Sequence, residues 1–344
     1  MSGTRWASPV FISLFVLVLQ NSMLVIMTRY SRTNVPPEMR YHTSTLILNQ
    51  EIIKMLFCII IFTLENRFSR STLEVRGTGV VTPGTLTLLW RLVFQKETLK
   101  MLVPAALFTL QNYLIFVGLA NLDAMSFQVW SQTKLLSAAV FSVLMLGRHL
   151  SMMQWMSLFV LTLGVLLTQQ QPESSAMLKG PARSPQKPLL GVGACVLSGL
   201  SSSYAGVYFE KVVKTTAPSL AVRNIHLSLF GIPFAALSLI VLDILPRRRG
   251  PTAVEFYYWR GYNQWLTIAL VAVHAFGGLL VAVVVKYADN LVKGFATGVA
   301  VIVSGGLSFL IWGHVPSSSF LTGCALITFA TVMYHKFDER SQSR

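Results

Sequence analysis

Lys134 stands in the middle of an apolar run, in Phe127-Gln128-Val129-Trp130-Ser131-Gln132-Thr133-Lys134. A cation at that depth is costly and too far from either interface for its stem to snorkel easily. Gln128, Ser131 and Gln132 recur beside it at turn spacing, giving a polar stripe on one helix face. Either a carboxylate from another helix neutralises this lysine, or an anionic ligand does. Gln111 and Asn112 lie inside another apolar run. Their amides offer both donor and acceptor, so they serve equally to glue helices or to read the edge of a base. Glu51 and Lys54 are three residues apart, the spacing that lets an acid and a base pair on one helix face. Arg223-Asn224 opens a further run, with Ser228 one turn on from Asn224, and Lys286 closes another just after Gly277-Gly278. Glu210, Lys211 and Asp289 fall at the ends of runs and read as interfacial or packing charges.

Patterns for other chemistry are missing. The sequence has no paired carboxylates placed for acid–base work, no His/Cys cluster at metal-ligand spacing, no Gly-x-Ser-x-Gly and no phosphate loop. The three cysteines, Cys58, Cys195 and Cys324, each sit inside an apolar run and read as small buried side chains rather than a disulfide framework. Enzymatic activity is disfavoured, a membrane-embedded transferase being the enzyme class kept as the alternative, and no cofactor or metal is expected.

These residues need long apolar elements to hold them, and the composition supplies those. Of 344 residues, 53 % are hydrophobic and 12 % charged, about half the charged share of an average soluble domain. Mean hydropathy is +0.59. The net charge of +15 comes mostly from Lys and Arg in segments between apolar runs, the arrangement of membrane flanks rather than of a nucleic-acid surface. A hydrocarbon core needs about 20 apolar helical residues per crossing. Ten such runs lie near 8–28, 42–64, 99–119, 124–147, 152–170, 188–208, 221–245, 264–284, 292–312 and 316–335. The reading is an all-α polytopic membrane protein lying in a lipid bilayer.

A linker rich in Pro, Ser and Gln at 171–187 divides the chain into two sets of five runs, 1–170 and 188–336, with a polar tail at 337–344. A shift of 166 residues places Asp123 on Asp289, Ser142 on Ser308, Gly147 on Gly313 and Ser151 on Ser317 without a gap. Five is odd, so two five-helix copies would be inverted with respect to each other, the design of alternating-access carriers with a cargo site near mid-membrane. The even total puts both termini on one side. With those termini in the cytosol, the 65–98 loop and the tail are cytosolic, and the Arg247–Arg249 loop is luminal.

Several stretches together resemble the Golgi nucleotide-sugar transporters of the UDP-galactose, UDP-N-acetylglucosamine and CMP-sialic acid group. They are Met27-Thr-Arg-Tyr-Ser-Arg-Thr33, Thr109-Leu-Gln-Asn112, Tyr204-Ala-Gly-Val-Tyr-Phe-Glu-Lys211, Val222-Arg-Asn-Ile225, and Gly277 through Asn290 with Lys293-Gly-Phe-Ala-Thr297. The resemblance implies a ten-helix inverted-repeat carrier in the Golgi membrane, both termini cytosolic, exchanging a cytosolic UDP-sugar for luminal UMP. It implies nucleotide recognition by Asn112, Lys134, Asn224 and Lys286, and places Glu51 and Lys54 toward the sugar. The chain departs from the group at Gln111-Asn112-Tyr113, where Gln-Asn-Asn is usual, and at Ser131-Gln132-Thr133-Lys134, where Tyr-Gln-Leu-Lys is usual. His226 replaces a glutamine. Leu229-Phe230-Gly231, Phe127 before Gln128, and His274-Ala-Phe-Gly-Gly-Leu-Leu-Val-Ala282 resemble the UDP-galactose branch most, while Ser228 and Phe230, where the CMP-sialic acid branch usually carries tyrosine and serine, disfavour that branch. Met27–Thr33 is as close to the UDP-N-acetylglucosamine branch, which leaves that cargo, or both, as the alternative. Homo-oligomerisation and association with glycosyltransferases stay open.

Overall fold

The computed structural model describes residues 9–36, 39–75, 84–122, 124–169, 187–215, 219–245, 256–312 and 316–342. Asp123, Gly313, the Arg247–Arg249 triplet and nearly all of the 171–187 linker lie outside these. Among the described residues there are helices and no strands, as a hydrocarbon solvent dictates, since a helix satisfies its backbone donors and acceptors internally. The helices are α1 (Pro9–Thr33), α2 (Thr43–Val75), α3 (Thr85–Val93), α4 (Leu102–Asn121), α5 (Ala124–Ser131), α6 (Thr133–Leu146), α7 (Met152–Thr168), α8 (Pro188–Thr215), α9 (Leu220–Leu239), α10 (Trp265–Tyr287), α11 (Asn290–Trp312) and α12 (Ser318–Gln342). Eight segments among the described residues are long and apolar enough to cross a membrane, and α7 falls just short of that length. Every one of the ten expected runs carries a helix.

Three features differ from the sequence reading. The fourth run is not one helix: it breaks at Gln132, between α5 and α6. Gln132 N–H donates to Val129 O at 3.2 Å and Leu135 N–H to Gln132 O at 3.0 Å, a tightened turn in place of the α-helical ladder. Thr133 Oγ1 donates to Trp130 O at 2.7 Å, so a hydroxyl takes up a carbonyl that the break frees. The expected 65–98 loop holds the end of α2 and the whole of α3, which seats Leu88, Leu89 and Leu92 on Phe62, Ala221 and Val222 while Trp90 stays exposed. The tail continues as helix to Gln342.

The chain forms two compact units. The first comprises residues 1–26, 110–211 and 287–344. Its core packs Ala138 and Ala139 of α6, Leu158, Leu161 and Val165 of α7, Leu291 and Phe295 of α11, and Ile327, Ala330 and Tyr334 of α12. α7 and α12 meet through glycines: a Cβ on Gly323 would lie 2.6 Å from Gly164 O. Small residues allow such backbone approach where lipid supplies no hydrophobic force between helices. α7 opens with a capping box, Ser151 Oγ accepting from Gln154 N–H and Gln154 Oε1 from Ser151 N–H.

The second unit comprises residues 27–109 and 212–286. α2 and α9 pair along it, with Cys58 against Ile225 and Phe62 against Ala221 and Val222. A π turn at Ile240–Ile244 extends α9, and its Asp243 accepts from the Ser44 hydroxyl. The 256–264 segment is tied down from α2: Tyr258 O–H donates to Asn49 Oδ1 at 3.0 Å, and Asn49 Nδ2 donates to Tyr262 Oη at 2.8 Å. Burial, with Tyr262 alongside, pushes the Tyr258 phenol up, and the Asn49 hydrogen bond opposes it. Gly261 has φ +81°, and a Cβ there would lie 2.5 Å from Tyr41 N, so only glycine lets this segment close on the one before α2.

Candidate functional site

In the first unit the polar residues are mounted on α8. Gly191, Cys195, Gly199 and Ser203 recur every four residues, and Gly206 and Glu210 continue the same face. A Cβ on Gly191 would strike Leu122 at 2.6 Å, and one on Gly118 would strike Cys195 Sγ at 2.6 Å and the Phe127 ring at 3.3 Å. Ser198 Oγ donates to Gln111 O at 3.3 Å. A Cβ on Gly199 would meet Lys134 N at 3.0 Å, and Ser203 Oγ donates to Lys134 O at 2.6 Å. α8 therefore holds the backbones of Gln111 and Lys134 without contributing a charged group beside them. A small residue every fourth position was the signal for this stripe, and the sequence reading passed over it.

Lys134 itself is held by its backbone alone. It begins α6 directly after the break, its side chain is exposed, and no carboxylate pairs with it among the described residues. The neutralising partner that would make it a structural lysine is therefore missing there. Lys293, in the first turn of α11, precedes Gly294, where a Cβ would lie 2.9 Å from Cδ2 of Leu135, the residue after Lys134. The sequence reading had counted Lys293 only within a motif. Gln111 keeps a buried Oε1 with no hydrogen-bond partner, and Asn112 is half-buried. Phe127 is half-buried; Gln128 lies in α5.

Of the two readings of Glu210 and Asp289, the structure shows packing charges rather than interfacial ones. Arg148 Nη2 pairs with Glu210 Oε1 at 2.9 Å, and Arg148 Nη1 with Asp289 Oδ2 at 2.7 Å. Burial opposes the charge on the Arg148 guanidinium, but Asp289 and then Glu210 outweigh it and move its pKa up.

The second unit gathers a different set. Lys54 Nζ lies 2.6 Å from Glu51 Oε2, and Ser228 Oγ donates to the same oxygen at 3.2 Å. Glycines leave the space: a Cβ on Gly231 would lie 3.1 Å from Glu51 Oε2, and one on Gly278 2.9 Å from Lys54 Cδ. The i, i+3 pairing is thus formed as its spacing suggests. Its charges balance internally, so this cluster offers hydrogen bonds rather than net charge. Removing one partner strands the other: Glu51→Leu is expected to cost about 3–5 kcal/mol, while Glu51→Leu with Lys54→Met restores most of it. Thermal unfolding of the single and double variants in detergent checks this, and equal destabilisation in both would exclude it.

Asn224 is buried and its Nδ2 donates to Leu220 O at 2.9 Å, within its own helix. Arg223 is fully buried and reaches Glu97 Oε2 at 3.3 Å. His226, the departure from the usual glutamine, ties α9 to the end of α3 and to the segment after it, with Nε2 3.0 Å from Leu92 O and 3.3 Å from Thr98 Oγ1. Lys286 is exposed in the last turn of α10. The sequence-predicted residues thus divide between the units: Gln111, Asn112, Phe127, Gln128 and Lys134 in the first, and Glu51, Lys54, Asn224, Ser228 and Lys286 in the second.

The long apolar helices among the described residues define a multi-spanning membrane protein. The family model described as nucleotide-sugar transporter matches residues 9–335. The chain belongs to the nucleotide-sugar transporter family. The UDP-N-acetylglucosamine transporter of Rattus norvegicus is 39 % identical over 327 residues, covering 94 % of this chain and 94 % of that protein. The UDP-galactose translocator of Bos taurus is 39 % identical over 324 residues, 94 % of this chain and 77 % of that protein. A solved protein structure matches with a TM-score of 0.62 at 16 % identity, over 96 % of this chain and 98 % of its own, a likeness of fold alone. The relatives are named as transporters and translocators, not as enzymes.

Proposed function

We propose that the chain is an antiporter that carries a UDP-sugar from the cytosol into the Golgi lumen in exchange for UMP, with both termini cytosolic. The observation that carries this is Lys134, a lysine in a membrane-spanning run whose ammonium has no carboxylate partner among the described residues. A pyrophosphate brings the missing negative charge, and Lys293, on the α11 segment that packs beside Lys134 through Gly294 and Leu135, shares it. In the nucleotide the base and one phosphate are common to UDP-sugar and UMP, so both cargoes engage the same cations. An empty carrier leaves these lysines uncompensated in a low dielectric, which penalises the unloaded transition and couples inward to outward movement. Asn112 and Asn224 read the uracil and Lys286 serves the phosphates, with Gln111, Phe127 and Gln128 as further substrate-binding residues. The neutral Glu51–Lys54–Ser228 cluster, rich in donors and acceptors, reads the sugar hydroxyls.

The sugar assigned from Leu229-Phe230-Gly231 and Phe127 is galactose. UDP-N-acetylglucosamine is the second reading, favoured by relatives of that name at the same identity. Counterflow into proteoliposomes preloaded with UMP, offering UDP-galactose, UDP-N-acetylglucosamine, CMP-sialic acid and GDP-mannose side by side, tests both. Uptake of a UDP-sugar that requires internal UMP is expected, with UDP-galactose the faster. Uptake independent of internal UMP would exclude exchange, and sugar turnover without UMP movement would indicate a transferase.

A further inference from the structure

Arg148 joins three helices of the first unit at their ends. It follows Gly147, whose φ of +65° ends α6 in the left-handed conformation. From there its two terminal nitrogens span two carboxylates, Glu210 on α8 and Asp289 just before α11. Both carboxylates also hold the start of α11: Glu210 Oε2 accepts from Asn290 N–H at 3.0 Å, and Asp289 Oδ1 from Val292 N–H at 2.6 Å. Gly206, one turn before Glu210, packs on Asn290, since a Cβ there would lie 2.9 Å from Asn290 Oδ1. One turn beyond Asp289 stands Lys293, whose N–H donates to Asp289 O at 3.1 Å. Lys134 stands at the other end of α6, clamped to α8 at Gly199 and Ser203. Gly294, next to Lys293, packs on the residue after Lys134, since a Cβ there would lie 2.9 Å from Leu135 Cδ2, so the placement of the start of α11 sets where Lys293 stands relative to Lys134.

We propose that Arg148, by bridging Glu210 and Asp289, is a positioning residue that holds Lys293 in register with Lys134 and so sets the affinity for the cargo's phosphate. This rests on the reading that both lysines meet that phosphate. A guanidinium is needed because its planar fork engages two carboxylates at once, whereas an ammonium on a lysine stem is a single point charge that cannot reproduce the fork. Neither carboxylate is left without other hydrogen bonds when Arg148 is replaced by lysine.

The test measures UMP affinity and exchange kinetics of the full chain in lipid nanodiscs and proteoliposomes, for Arg148→Lys, Lys293→Gln and the double variant. Arg148→Lys is expected to raise the Kd for UMP and the KM for the UDP-sugar about tenfold, with maximal exchange within about twofold of wild type. Lys293→Gln is expected to raise the same constants at least about tenfold, and in that background Arg148→Lys should add less than about twofold, because its effect runs through Lys293. A full tenfold loss from Arg148→Lys in the Lys293→Gln background would show a merely structural role and overturn the proposal. Reduced maximal exchange at unchanged Kd would overturn it as well. An unchanged Kd in Lys293→Gln alone would overturn the cargo reading of Lys293, and the proposal with it. Glu210→Gln, which keeps an acceptor for Asn290 N–H, replaces Arg148→Lys in the same cycle if that variant does not fold, and the same outcomes decide.

Discussion

Lys134→Ala is expected to lower UMP-driven uptake of the UDP-sugar at least about a hundredfold, in a protein that melts close to wild type. The two halves of that expectation have separate causes. Stability survives because the structure holds the Lys134 backbone and not its ammonium: Ser203 donates to its carbonyl at 2.6 Å, and Gly199 packs on its N–H. Alanine keeps both contacts, and the exposed side chain fills no core. Function is lost because the ammonium is a charge-assisted donor to phosphate, a hydrogen bond about twice as strong as a neutral one. Lys134→Arg, which keeps the charge in a different shape, should recover part of the uptake. Uptake at the wild-type rate by a folded Lys134→Ala protein would remove Lys134 from the cargo site.

The second large effect concerns the fold. A single methyl at Gly323→Ala is expected to destabilise the protein by about 3 kcal/mol. The methyl carbon would lie 2.6 Å from Gly164 O, 2.6 Å from Thr168 Cγ2 and 2.8 Å from Thr168 N. Two of these atoms are backbone and cannot rotate aside, so α7 and α12 must separate. Separation opens the core in which Leu161 and Val165 face Ile327 and Ala330. Gly306→Ala in α11 is the control, since a Cβ there meets nothing within 4 Å; its effect should stay within about 0.5 kcal/mol. Thermal unfolding of the two variants under one set of conditions decides, and equal midpoints would mean that α7 and α12 do not pack this closely.

The parts of this molecule written in single residues were legible, and the parts made by distant residues meeting were not. Each spanning helix announces itself because a bilayer demands about 20 apolar residues at a stretch. Lys134 announces itself because a cation within such a stretch is costly. The break before it was hidden: Gln132 carries neither proline nor glycine as a warning, and the hydroxyl of Thr133 that repairs the break looks like any other polar group. α3 was hidden because its nine residues are too few for a span and fall in a segment whose arginines read as loop. Glu210 and Asp289 each stand at the end of an apolar stretch, where a charge needs no explanation. Only Arg148, 62 residues before one of them, turns them into a cluster. Lys293 drew notice only as part of a motif, because one turn inside α11 is where an ordinary interfacial lysine also sits.

The interleaving of the two compact units governs how the chain must be made. Neither is a continuous stretch: one is completed only by residues 212–286, the other only by residues 287–344. During synthesis α7 enters the bilayer with Leu158, Leu161 and Val165 facing lipid, and they stay so until Ile327, Ala330 and Tyr334 have been translated. Gly164 on α7 and Gly206 on α8 wait in the same way, for Gly323 and Asn290. Premature termination anywhere before α12 therefore leaves the first unit open whatever has been built of the second. A chain cut there keeps α7 without the α12 residues that complete its core.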